Sequence, residues 1–125
     1  MTQFTTPFIG KLVGKNLWEV YEPFEYHIGK YPSNEIIKIP VGYRTDFASV
    51  PRILWCIISP VDDHAKAAVV HDYCYDTGKY SRKRCDQIFR EALTVLDIPK
   101  WKIFSMYWSV RLFSYKAWLR CRKKN

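Results

Sequence analysis

At 125 residues the chain has room for one domain with a real core and is too short for two. A hydrophobic content of 48% with 17% aromatics describes a packed globule and excludes a disordered chain. The formal net charge of +8 favours anionic partners, among them phospholipid headgroups, nucleic acid or an acidic protein, without choosing between them.

In chain order, the first eleven residues are polar and broken by proline, so no secretory signal peptide is expected. Residues 8–13 and 17–28 are rich in β-branched and aromatic side chains and predict strands, with a turn at Gly14-Lys15-Asn16. Pro23 interrupts the second stretch and predicts a bend or an edge strand. A further turn at residues 31–34 precedes a strand over residues 35–39. The segment Arg44-Thr45-Asp46-Phe47-Ala48-Ser49-Val50-Pro51 then reads as a polar loop, and Pro51 opens a short apolar helix.

The following stretch carries the chemistry. At 3.6 residues per turn Ala67, His71, Cys74 and Tyr75 share one helix face, with Asp72 on its flank. Gly78 predicts the stop of that helix, and Ser81 the cap of a second one bearing Cys85, Asp86, Phe89, Ala92, Leu93 and Leu96. The short link makes the two helices antiparallel neighbours. His71 is then expected to meet Asp86 across the pair, with Cys74 near Cys85. A histidine oriented by a buried carboxylate, beside a second carboxylate able to hold a cation, is a hydrolytic constellation. The structural alternative is a buried, hydrogen-bonded histidine that only locks two helices. His27 and His64 read as surface or packing residues, and Asp76 as a solvated residue near a helix end. The four cysteines lack a CxxC pair, so zinc is not expected. Cys56 and Cys121 read as buried or free thiols; Cys74 and Cys85 are the better pair for a bridge in an oxidising compartment.

The C-terminal part predicts one long helix over residues 100–120 with two apolar stripes. Trp101, Phe104, Trp108, Leu112, Tyr115 and Leu119 make one; Ile103, Met106, Val110, Phe113 and Ala117 make the other. Two stripes mean a helix sandwiched within the fold or an oligomer, or one that also meets a membrane or partner. Trp101, Trp108, Arg111 and Trp118 are the candidates for that surface. The basic residues Lys102, Arg111 and Lys116 argue against a transmembrane span. Basic residues are scattered and no recognised motif is present, so nucleic acid is not the expected partner.

Two resemblances rest on these residues. Gly42 through Pro51 (GYRTDFASVP), Ala67-Ala68-Val69-Val70-His71-Asp72 and Met106 through Phe113 (MYWSVRLF) resemble an uncharacterised family of small phage and prophage proteins. That likeness implies a viral origin, in a virion or an infected bacterial host, and brings no activity with it. Locally, His71-Asp72-Tyr73-Cys74-Tyr75 is similar to the active-site helix of secreted phospholipase A2, and Cys85-Asp86 to the start of that family's second long helix. This second resemblance implies that His71 is the general base, Asp86 its orienting carboxylate, Tyr75 a hydrogen-bond donor to that carboxylate, and Cys74–Cys85 a disulfide. It also implies Ca²⁺ on Asp72, with Asp46 and carbonyls of residues 45–49 replacing the absent glycine- and cysteine-rich calcium loop. Ala67 through Asp72 resembles, too, the His-Asp helix of metal phosphohydrolases, which need further His and Asp ligands from separate helices.

The expected fold is α+β: a small antiparallel N-terminal sheet with a helical C-terminal half. The expected function is a phage-encoded, phospholipase A2-like hydrolase acting on lipid esters at an anionic membrane surface. Its alternative is a non-catalytic virion, tail or host-interaction protein, possible as a homo-oligomer.

Overall fold

The computed structural model describes residue 4 and residues 10–14, 17–45 and 64–124. It forms two compact units, residues 1–46 and 47–125. In the first unit β1 (Gly10–Gly14), β2 (Leu17–Val20) and β5 (Arg44–Thr45) make an antiparallel sheet in the order β1-β2-β5. A second antiparallel pair joins β3 (Phe24–His27) to β4 (Ile36–Ile39). Pro23 has no N–H to give to a ladder, and the apolar stretch over residues 17–28 splits around it into β2 and β3.

Register sets the core of this unit. Phe24 pairs with Ile39 and Tyr26 with Ile37, which turns all four onto one face, where they are buried. Phe4 covers that face, its ring 4.7 Å from Tyr26 and 6.2 Å from Phe24. Glu25 and Lys38, opposite one another, occupy the other face. His27 packs here as expected. Its Nδ1 accepts the Ser33 N–H at 3.2 Å, and its ring lies 4.6 Å from that of Tyr31.

The second unit contains α1 (His64–Thr77), α2 (Arg82–Val95), α3 (Lys100–Phe113) and α4 (Tyr115–Lys124). The α+β class and the helical C-terminal half stand as the sequence predicts. Gly78 ends α1 at φ +66°, a left-handed conformation that costs an L side chain about 1–2 kcal/mol. Ser81 caps α2, its hydroxyl accepting the Arg84 N–H at 3.2 Å. Cys85, Ile88, Phe89, Ala92 and Leu93 make one buried stripe along α2. The helices pack in a circuit in which α1 meets α2 and α4, and α3 meets the same two.

The single helix expected over residues 100–120 is two. The α3 helix ends at Phe113, and α4 starts after buried Ser114, whose N–H still donates to the Val110 carbonyl at 3.2 Å. Ile103, Met106, Val110 and Ala117 are buried, whereas Phe113, expected with them, is 68% exposed. The whole other stripe, Trp101 through Leu119, is exposed. Among the described residues no helix is long and apolar enough to cross a membrane. The loop holding Asp46, the short helix after Pro51, and Cys56 lie outside the described residues.

Candidate active site in the α1–α2 pair

The α1–α2 link is only four residues long, so the chain reverses at once and the two helices run antiparallel. His71 consequently meets both Asp86 and Phe89, while Tyr75, a turn nearer the link, meets Asp86. The His71 Nε2 lies 2.6 Å from Asp86 Oδ1, and the Tyr75 hydroxyl donates to the same oxygen at 2.8 Å. The side chains of His71 and Asp86 are both wholly shielded from solvent. Tyr75 and Phe89 hold the imidazole plane, with ring centroids 4.4 and 4.8 Å away.

The second carboxylate oxygen is also matched. Arg111, reaching in from α3, donates through Nη1 to Asp86 Oδ2 at 2.7 Å. Burial would by itself raise the Asp86 pKa. The hydrogen bond and charge of His71 outweigh it, with help from Tyr75 and Arg111, and hold the carboxyl below the ordinary aspartate value. An ionised carboxylate only accepts hydrogen bonds, so the ring nitrogen facing it carries the proton. In the neutral imidazole the lone pair then sits on Nδ1. The Tyr75 hydroxyl is pushed up, first by burial and then by the Asp86 charge, and remains a donor.

Two arginines fix the frame by covering helix C-termini, where carbonyls lack intrahelical partners and the helix dipole favours a cation. Arg82 of α2 donates to the carbonyls of Val110 and Arg111 at the end of α3. Arg122 of α4 donates to the carbonyls of Tyr75 and Asp76 at the end of α1. The first of these contacts places Arg111 over Asp86. Sequence reasoning missed all three roles; the one available signal is that Arg111 borders the buried stripe Ile103-Met106-Val110.

Three expectations change. Arg111 and Trp118, expected on an open surface, are only partly exposed and are held by partners. The first is paired with Asp86, and the second is half-buried, with its ring 5.2 Å from Tyr75 and the Arg122 guanidinium stacked 4.2 Å from it. Cys74 and Cys85 are adjacent but are free thiols, not a disulfide. The hydrogen bond with Cys85 and then burial push the Cys74 pKa up, so the Cys74 thiol lacks the thiolate character needed for reactivity. Asp76 is half-buried and accepts the Cys121 thiol at 3.3 Å instead of standing free in solvent.

Asp72 is buried beside His71 at 9% exposure. Its intended companion Asp46 is outside the described residues, and among the described residues no group of three His, Cys, Asp or Glu side chains is arranged to hold a metal ion. Trp101 and Trp108 are exposed and stand apart from the His71 cluster, on α3.

Comparison with known proteins gives a relative from Sinorhizobium fredii (strain NBRC 101917 / NGR234), "Uncharacterized protein y4jT". It is 34% identical over 77 residues, which cover 60% of this chain and 23% of that protein. The chain therefore spans about a quarter of the length of the relative it matches. No solved structure matches it. Residues 18–110, which run from β2 to the last buried turn of α3 and contain His71, Tyr75 and Asp86, match the family described as "Protein of unknown function (DUF1353)", and the chain belongs to that family.

Proposed function

We propose that the chain is a phage-encoded hydrolase resembling phospholipase A2, which cleaves lipid esters with a water activated by His71. The observation that carries it is the 2.6 Å contact of His71 Nε2 with Asp86 Oδ1, on the oxygen that Tyr75 also touches. With Nε2–H committed to the carboxylate, Nδ1 is the base that takes a proton from water as the water oxygen attacks the acyl carbonyl. The imidazolium that forms is stabilised by Asp86 and returns the proton to the departing alkoxide. The acyl C–O bond breaks, and a fatty acid and an alcohol leave. Calcium belongs to the proposal at Asp72; the companion ligands expected at residues 46–49, Asp46 among them, lie outside the described residues. The described residues do not by themselves make a calcium cage, and no step is routed through the ion.

A second reading is favoured by a specific observation, the complete burial of the His71–Asp86 pair together with Arg111 on the remaining carboxylate oxygen. In it the cluster is a structural lock in a non-catalytic phage virion, tail or host-interaction protein.

One variant separates the two. In a catalyst His71→Gln leaves the fold in place and lowers fatty-acid release from a monomeric short-chain phospholipid about 10²–10⁴-fold. In a structural lock the wild type releases no fatty acid even with calcium present, and the variant is about 1–3 kcal/mol less stable because Asp86 and Tyr75 lose a partner. Thermal unfolding measured beside hydrolysis decides between them, and the second pattern overturns the hydrolase.

A further inference from the structure

The geometry points to an anionic phospholipid bilayer as the partner of the exposed face of α3 and α4. Residues 98–125 hold eight Lys and Arg and no Asp or Glu, so the whole formal charge of +8 lies there, and the first 97 residues balance to zero. On the same segment Trp101, Phe104, Trp108 and Leu112 recur at spacings of three and four, a single stripe along α3. All four are exposed, from 48% for Trp108 to 67% for Phe104 and Leu112. Tyr115 and Leu119 carry the stripe across the Ser114 break into α4. The opposite side of α3, with Ile103, Met106 and Val110, already faces the core. Among the described residues the exposed stripe is thus a second apolar face, on the side of α3 away from the core.

Its flanks decide the occupant. Lys100, Lys116, Arg120 and Lys123 are exposed, whereas Arg111 and Arg122 are drawn inward to Asp86 and to the end of α1. Aromatic and aliphatic side chains bordered by cations suit the boundary between headgroups and acyl chains, where rings enter the apolar layer and cations meet lipid phosphates. A second copy of this chain fits poorly, since pairing the faces opposes two segments of +8 each. Nucleic acid leaves Leu112 and Leu119 without a partner, because phosphates and base edges do not bury aliphatic surface. Beside the stripe, a groove of about 1020 Å³ between the end of α2 and α3 is lined by Arg90, Lys100, Trp101, Phe104, Tyr107 and Trp108. Arg90 is held over the Tyr107 ring at 5.4 Å, which puts a cation at the edge of an aromatic cleft, as an anionic headgroup requires.

This docking is independent of whether His71 is a catalyst. The experiment is co-sedimentation of the full chain with vesicles of phosphatidylcholine alone and of phosphatidylcholine mixed with phosphatidylglycerol. The expected result is binding to the anionic vesicles that weakens with added salt, and loss of at least about tenfold in affinity in Trp101→Ser/Trp108→Ser. Both positions are exposed, so circular dichroism of the variant is expected to match wild type, and Lys100→Glu/Lys116→Glu gives a second, charge-only test of the same surface. His71→Gln is expected to bind as wild type does. The proposal is overturned if wild type ignores anionic vesicles or the surface variants bind them undiminished, or if a single-stranded oligonucleotide strips the chain from the vesicles while the aromatic variants still bind it. Loss of vesicle binding with unchanged hydrolysis of a monomeric ester isolates the surface; loss of hydrolysis with unchanged binding isolates His71.

Discussion

Asp86 is asked to satisfy three donors at once, and Arg111 is the one whose role most changes with the structure. Its guanidinium closes the last open side of a buried carboxylate while remaining partly exposed itself. Arg111→Met keeps much of the apolar stem but leaves Oδ2 without this partner. The expected cost is about 1.5–3 kcal/mol, the range for a hydrogen bond to a charged group. A truly exposed arginine changes stability by no more than about 0.5 kcal/mol, so chemical denaturation of this one variant distinguishes the two situations. The His71–Asp86 pair was legible beforehand because both residues lie within one helical hairpin, where spacing converts directly into facing positions; the Tyr75 bond to Asp86 was implied only by the likeness to phospholipase A2. Arg111 was not. It is twenty-five residues from Asp86, and a cation in an apolar stripe has the same appearance in sequence whether it points to water or to a carboxylate.

At the scale of elements, caps and stops were read more surely than lengths. Ser81 and Gly78 act through local backbone chemistry, so their sequence signals survive folding. The break at Ser114 carries no such signal: no Pro or Gly marks it, and the apolar stripe runs on from Leu112 through Tyr115 to Leu119. It follows from tertiary contacts, with Arg82 binding the carbonyls of Val110 and Arg111 and Ser114 itself buried. The C-terminal end of α1 offers a sharper test of the same idea. A Cβ on Gly78 would lie 2.5 Å from Arg122 Nη1, at a backbone φ of +66°. Gly78→Ala is therefore expected to lose about 1–2 kcal/mol from the left-handed backbone, plus whatever the displaced Arg122 cap contributed. In the background of Arg122→Ala the same substitution retains only the backbone part. The two changes are non-additive, and a double-mutant cycle by thermal unfolding reads the coupling.

For the molecule as a whole, the buried carboxylate sets how stability responds to acid. The sign follows from the direction of its shift. Asp86 has a folded-state pKa below the ordinary aspartate value, so the folded chain holds its proton less tightly than the unfolded one. Its stabilising contribution is present in full above the unfolded value of about 3.9 and is lost as pH falls through the lower, folded value. Asp86→Asn removes that dependence along with the negative charge that His71 and Arg111 face. At neutral pH the variant is expected to be about 3–5 kcal/mol less stable, the usual result of removing one member of a buried ion pair. As pH drops below about 4 the wild type gives up the same contribution by protonation, and the gap between the two proteins narrows. Loss of the helical circular-dichroism signal with denaturant, followed at several pH values, measures this gap. A gap that stays constant from neutral pH into acid would mean that folding leaves the Asp86 pKa unshifted; a gap that widens as pH falls would mean that Asp86 keeps its proton in the folded protein, and that the ionised carboxylate assigned to orient His71 is not there.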